Sequence, residues 1–228
     1  MIVLAIDTSS RYCSCAILEN DVLLAESAEL SGLVHSESLM PMVDDCLTRA
    51  NLTAADVDLF ACVAGPGSFT GVRIGVCAVK GLAQAVNKPC VGLNTLEVLK
   101  NNLPGESIVC PIMDARRGQV YGAVYENGRE VLPCDARPIE EMIAFLENKT
   151  AVFLGDGAEP FRETLVNAMG DRARFAPAHL SCTRAASAAV LAKAAAEAGK
   201  TVSAAGLDAI YLRKPQAERE YASKHPTL

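Results

Sequence analysis

Residues 108–118 read IVCPIMDARRG, and residues 2–10 read IVLAIDTSS. Each is a short apolar run, fit for a buried strand, that stops at an aspartate, Asp114 in the later stretch and Asp7 in the earlier. Laid over each other without gaps, the two stretches are offset by 107 positions (Asp7 onto Asp114), and the match continues beyond them. Ala16 falls on Ala123, Ile17 on Val124, Glu19 on Glu126 and Asn20 on Asn127. Outward from each stretch come two more short runs: YCSCAIL and VLLAESA around Asn20-Asp21, then QVYGAVY and EVLPCDA around Asn127-Gly128. Asn at such a dipeptide suits a tight hairpin, so each half opens as an antiparallel meander. Helix, strand and helix come next in both halves. In the first, Leu39, Val43 and Leu47 recur at helical spacing, 57–64 is a strand, and VRIGVCAVKGLAQAV is a helix. In the second, IEEMIAFLE, AVFLGDG and PFRETLVNAMG repeat that order before an Ala-rich helix. A match that keeps the terminal Asp, the hairpin and the element order is best explained by internal duplication. The expectation is an α/β chain of two β-β-β-α-β-α lobes, residues 1–103 and 104–228, joined near Pro104-Gly105.

Composition narrows the class. The chain has 228 residues, 50% hydrophobic and 21% charged, with a formal net charge of −6 and no Trp. That length buries a core without disulfides or metal, and that apolar content excludes disorder. The acidic sum disfavours a stand-alone nucleic-acid binder, although it leaves room for a local basic patch. The opening residues carry no basic region, and no stretch approaches ~18 consecutive apolar residues, so a cytoplasmic protein with no membrane attachment is expected. Of nine cysteines, seven (Cys13, Cys15, Cys46, Cys62, Cys77, Cys90, Cys110) sit in apolar runs. These are read as small hydrophobes in the core, and no Cys-x-x-Cys spacing supports a metal knuckle.

In two-lobed folds that this element order resembles, the first hairpin of each lobe points its turn into the interlobe cleft. An Asp ending the first strand then stands where it can hold a magnesium–nucleotide phosphate. Asp7, with Thr8 and Ser9, and Asp114 occupy those places, and Gly155 and Gly157 mark a turn fit to contact an adenosine. This arrangement resembles the actin-like, sugar-kinase-like (ASKHA) fold. The first loop has no glycine to bring backbone up to phosphate, so the cleft reads as vestigial; the plain alternative is two aspartates that merely cap strands. The most distinctive string is Gly65-Pro66-Gly67-Ser68-Phe69-Thr70-Gly71-Val72-Arg73, between a strand and a helix, where helix N-termini bind anions. It lacks the Gly-Lys-Ser/Thr of a P-loop, and Phe69 would crowd a pyrophosphate, which leaves tight-turn glycines as the alternative. No metal site is expected, because His35-Ser36-Glu37 has Leu39 where a second His would face the same ion. No Gly-x-Ser-x-Gly elbow appears. The two first-lobe helices carry apolar arcs wider than one sheet face requires. A partner interface is therefore expected at Leu39, Met42, Val43, Cys46, Leu47, Val76, Val79, Leu82, Ala83 and Val86, the alternative being helices sandwiched within their own lobe.

The strings AGPGSFTGVRIG, IVLAIDTSS, HSESLMP and YLRKPQAERE together closely resemble the TsaB (YeaZ) family of the bacterial tRNA threonylcarbamoyladenosine machinery. The resemblance runs over essentially the whole chain. It implies a two-lobed actin-like fold and a non-catalytic role in modifying the adenosine beside the anticodon. The family's catalytic paralogue, TsaD, carries a metal-binding His-x-x-x-His and transfers threonylcarbamoyl from its adenylate. TsaB-type chains pair with it through their first two helices, and the ATPase TsaE completes the assembly. tRNA is then reached only through the complex, and no cofactor belongs to this chain, with ATP or ADP bound weakly or at a subunit junction at most. Alone, the same helices would form a homodimer. The competing reading is a small actin-like ATP-dependent kinase or phosphatase that uses Asp7 and Asp114.

Overall fold

The structure is a computed structural model that describes residues 1–30 and 34–213. The first half runs β1 (Ile2–Asp7), β2 (Tyr12–Glu19), β3 (Val22–Leu30), α1 (His35–Arg49), β4 (Leu59–Gly65), α2 (Phe69–Val86), β5 (Cys90–Asn94) and α3 (Thr95–Lys100). The second runs β6 (Ile108–Asp114), β7 (Gln119–Glu126), β8 (Arg129–Pro138), α4 (Ile139–Leu146), β9 (Ala151–Leu154), α5 (Arg162–Met169), β10 (Ala173–Phe175) and α6 (Ala185–Glu197). Each half builds a five-stranded sheet, β3-β2-β1-β4-β5 and β8-β7-β6-β9-β10, so strand order is identical in the two. In both, the first strand pairs antiparallel with the second and parallel with the fourth. The hairpin turns match as well, with Asn20 at φ 54° and Asn127 at φ 50° in the left-handed region that Asn tolerates.

Both faces of the central strands of each sheet are covered, which is why those strands are apolar nearly throughout, whereas the edge strands β3 and β8 are largely exposed. In β1, Leu4 and Ile6 face α1 and α2 with Ile17 and Phe60, while Val3 and Ala5 face the other way with Leu59 and Val91. In the second sheet, Cys110, Ile112 and Phe153 face α4 and α5, and Val109, Met113 and Tyr125 face the opposite side.

The covers of those opposite sides are exchanged. α6 comes after the second sheet in sequence but lies on the first, where Ala188, Ala189 and Ala192 pack on Val3, Ala5 and Leu59. α3 comes after the first sheet but sets Leu96 and Leu99 against Val109, Met113 and Leu154 of the second. Grouping by sequence into 1–103 and 104–228 therefore separates each of these helices from the sheet it covers. α2 also differs from expectation. It is 18 residues long and, by length and composition alone, apolar enough to cross a membrane, yet Val72, Val76, Val79 and Ala83 bury one face on the first sheet.

Candidate functional site

The two aspartates end equivalent strands and make the same turn. Asp7 Oδ1 accepts the Ser9 N–H at 2.8 Å, and Asp114 Oδ1 accepts the Arg116 N–H at 2.7 Å. A Gly-x-Gly stands at the end of the fourth strand of each half, and its second glycine packs on the end of the first strand or the turn after it. Gly65 (φ +117°) and Gly155 (φ +101°) both need left-handed backbone. A Cβ on Gly155 would stand 2.1 Å from the Ile112 carbonyl oxygen, and one on Gly157 would stand 3.0 Å from the Met113 carbonyl carbon.

In the first half the contact goes further. A Cβ on Gly67 would meet the Ser9 carbonyl oxygen at 2.2 Å, and one on Gly71 the Thr8 carbonyl oxygen at 2.1 Å. The Ser68 N–H donates to the Ser9 carbonyl at 2.8 Å, and the Thr8 hydroxyl donates to the Gly71 carbonyl at 2.7 Å. Ser68 also caps α2, its hydroxyl accepting the Gly71 N–H, and Thr95 ties down the Pro66 carbonyl at 2.6 Å. Gly67 and Gly71 thus serve close backbone packing onto residues 8 and 9, while Gly65 admits the Ile210 carbonyl. Phe69, Thr70 and Arg73 stand at the rim.

Asp7, Thr8 and Ser9 are all fully buried. Asp7 Oδ2 and Ser9 Oγ have no hydrogen-bond partner among the described residues, and burial pushes the Asp7 carboxyl above its ordinary range. A magnesium–nucleotide phosphate needs an ionised, accessible carboxylate, so the residues at Asp7 do not fit one. Asp114 is partly exposed.

Between the halves lies a cavity of about 350 Å³, whose walls include Ser10, Arg11, Gly155, Asp156 and Thr183. The Ser10 and Thr183 hydroxyls are 3.1 Å apart, and His35 Nε2 donates to the Ser10 carbonyl at 2.9 Å. Asp156 Oδ1 accepts the Asp114 N–H at 3.1 Å, and burial pushes its carboxyl up. Sequence reasoning did not reach Thr183, which approaches Ser10 from a loop 173 residues away. Among the described residues no three His, Cys, Asp or Glu side chains gather into a metal-holding group.

The expected interface needs correction. Leu39, Met42, Val43, Cys46, Leu47, Val76, Val79 and Ala83 are all buried in the chain's own core, and Leu82 and Val86 are partly buried against it. The arcs are wide because α1 and α2 share one face of the sheet and touch each other as well as the strands. What α2 turns outward is Cys77, Gly81 and Ala85, exposed and four residues apart, hence on one stripe. Cys77 is thus not core filler, unlike Cys13, Cys15, Cys46, Cys62, Cys90 and Cys110, which are buried. Two distant motifs also meet. The Arg73 guanidinium lies 3.7 Å from the Phe69 ring centroid, Phe69 and Tyr211 are 5.1 Å apart, and Arg73 Nε donates to Tyr211 Oη at 2.9 Å. Residues 214–220 of the tail string lie outside the described residues.

Two sheets of one topology, facing each other across a cleft with an aspartate turn from each, define an actin-like, sugar-kinase-like α/β protein. A sugar kinase of the ROK type, the hexokinase from Thermus thermophilus, shares the fold with a TM-score of 0.51 at 14% identity, covering 87% of this chain and 100% of that one. The family model described as TsaD, tRNA N6-adenosine threonylcarbamoyltransferase, matches residues 29–221. The tRNA threonylcarbamoyladenosine biosynthesis protein TsaB of Bacillus subtilis is 33% identical over 179 residues, covering 75% of this chain and 78% of the relative. YeaZ from Pseudomonas aeruginosa superposes with a TM-score of 0.78 at 30% identity, covering 92% of this chain and 99% of that one. Within that wider group, the chain belongs to the TsaB family.

Proposed function

We propose that this chain is the non-catalytic, activating subunit of a tRNA threonylcarbamoyltransferase, working beside a TsaD-type catalytic relative and a TsaE-type ATPase. The observation that carries the reading is the seal over Asp7. The carboxylate that would grip a metal–phosphate is fully buried, at the start of a loop whose Thr8 and Ser9 pack on the Gly67–Gly71 backbone, and has one oxygen unpartnered. A chain that works by pairing also needs a surface to pair with, and the small-residue stripe Cys77, Gly81 and Ala85 suits close approach of a partner helix. Without a partner the same stripe suits a two-fold homodimer. On this reading the chain meets tRNA within the complex, and the complex works in the cytoplasm.

The test is reconstitution. The purified chain alone should transfer no threonylcarbamoyl to tRNA, should co-elute with a TsaD-type protein, and should restore transfer when mixed with it and a TsaE-type ATPase. Transfer by the chain alone would overturn the proposal. One observation favours the competing kinase or phosphatase reading: the aspartate turn recurs in both halves and the second copy is open. Micromolar binding of Mg-ATP to the isolated chain, read by calorimetry, would favour that alternative.

A further inference from the structure

The charge total of −6 conceals a local excess of the opposite sign at the mouth of the interlobe cleft. Most basic side chains elsewhere are neutralised: Arg49, Lys88, Arg137, Lys149, Arg174 and Lys193 all sit in ion pairs. Arg11, Arg116, Arg117 and Arg213 pair with no carboxylate among the described residues, and they come together from three segments. Arg11 ends the loop between β1 and β2 and lines the cavity with Asp156. Arg116 and Arg117 form the centre of the equivalent loop between β6 and β7 and are exposed. Arg213 reaches that same loop from the C-terminal segment, donating to the Ala115 carbonyl at 3.1 Å and to Gln119 Oε1. Asp156 lies close enough to Arg11 and Arg116 to feel their charge, and Asp114 donates its N–H to Asp156, so four guanidiniums face two carboxylates and the excess stays positive.

The backbone supplies a second observation. Arg116 (φ +66°), Arg117 (φ +56°) and Gly118 (φ +72°) are three successive residues in the left-handed region, where glycine or asparagine is at ease and arginine is not. In the matching loop of the first half no residue has positive φ. Strained backbone that carries exposed cations is a position held for what the side chains do.

We propose that the Arg116–Arg117 loop, with Arg11 and Arg213, is a phosphate-binding surface for the RNA backbone, through which this chain contributes directly to holding tRNA in the assembled complex. The assembly is taken from the function proposed above; the charge cluster is not. Guanidiniums without carboxylate partners bind phosphodiesters through paired N–H donors. Their spread over three segments, from Arg11 in the wall of a cavity that also holds Asp156 and Glu159 to Arg116, Arg117 and Arg213 beyond that wall, suits an extended polyanion rather than a nucleotide inside the cavity.

Arg116→Gly with Arg117→Gly tests this, because glycine suits positive φ and the fold is expected to be as stable as the parent or more so. Fluorescent tRNA is titrated with the full chain alone at low salt and with the chain assembled with its TsaD-type partner at several salt concentrations. The isolated parent chain is expected to bind with Kd between about 1 and 100 µM and the variant far more weakly. In the complex, affinity should fall at least tenfold, and the slope of log K against log salt should drop by about 2. A double variant at the far end of the second sheet, Arg129→Ser with Arg172→Ser, should leave both unchanged. Parent-like binding and slope in the glycine variant would overturn the proposal, as would displacement of tRNA from the isolated chain by equimolar ATP. The isolated-chain titration still reads the surface if no partner assembles, which separates failure of this proposal from failure of the function above.

Discussion

Asp7 and Asp114 end equivalent strands and accept the same backbone N–H two residues on, yet the first is sealed and the second is open. The difference lies in the segment after the fourth strand. In the first half α2 begins at Phe69, four residues past the end of β4 at Gly65, so its first turn lies directly on Thr8 and Ser9. In the second half α5 begins only at Arg162, after β9 ends at Leu154, and the intervening chain borders the cavity instead. An aspartate kept at a strand end is therefore not by itself an accessible site. How closely the neighbouring helix approaches decides that.

The strongest way to break this contrast is with two glycines. Gly71→Ala places a methyl 2.1 Å from the buried Thr8 carbonyl oxygen and should cost about 3 kcal/mol or more, read by urea unfolding. Gly118→Ala meets nothing within 4 Å and bears only its positive φ, so about 1 kcal/mol is expected. Equal costs would mean that the first loop is not packed as tightly as the geometry says.

Next in size is pairing. Gly81 on α2 has open space around it, so Gly81→Arg should leave the fold intact and even favour the helix. Co-elution with a TsaD-type partner should nonetheless weaken by roughly a hundredfold, because a large charge must be buried or expelled. The exposed second-half residue Asn167 on α5 serves as the comparison, and Asn167→Arg should leave pairing unchanged. Equal effects from the two would remove the assignment of α2. Val43→Asp, on the apolar arc of α1, is the poorer probe, since Val43 is buried and the variant would unfold the first half.

The smallest effect is electrostatic. The Asp7 carboxyl is raised chiefly by burial, so the folded state favours its protonated form. Its contribution to stability is fully present below the ordinary carboxylate range and is lost as pH rises through the raised value. Asp7→Asn keeps the acceptor for Ser9 without the charge. Its thermal midpoint should match the parent at pH 4 and exceed it by a few degrees at pH 7. Asp114→Asn, at a partly exposed position, should shift the midpoint little. A destabilised Asp7→Asn at pH 7 would mean that the buried carboxylate is ionised and held by a partner.

Much of the fold was legible because the duplication preserves features that constrain the backbone. A strand-ending Asp and a hairpin Asn at a constant offset fix three strands in each half, and the structure returns the same two turns. The inward face of each helix could also be read from spacing. Which apolar residues meet a partner could not, because α1 and α2 flank one another and an arc shared between a sheet and a neighbour looks the same in sequence as an arc shared with another chain. A signal was present in the small residues Cys77, Gly81 and Ala85, whose four-residue spacing marks a stripe that fills no core. The glycine string was legible as special but not in purpose, since glycines that admit a phosphate and glycines that admit a neighbouring carbonyl read alike. Thr183 and Tyr211 were beyond reach, because each joins its cluster through contacts spanning well over a hundred residues.

The exchanged covers have a consequence for synthesis. When the ribosome has released the first sheet and α3, the face made by Val3, Ala5, Leu59 and Val91 still lacks α6, which ends at Glu197. At about 5–20 residues per second, the remaining stretch takes roughly 5–20 s to emerge. For that interval a nascent chain shows an apolar sheet face with no roof, an obvious landing place for a chaperone. Neither half, expressed alone, would carry the helix that completes its own sheet.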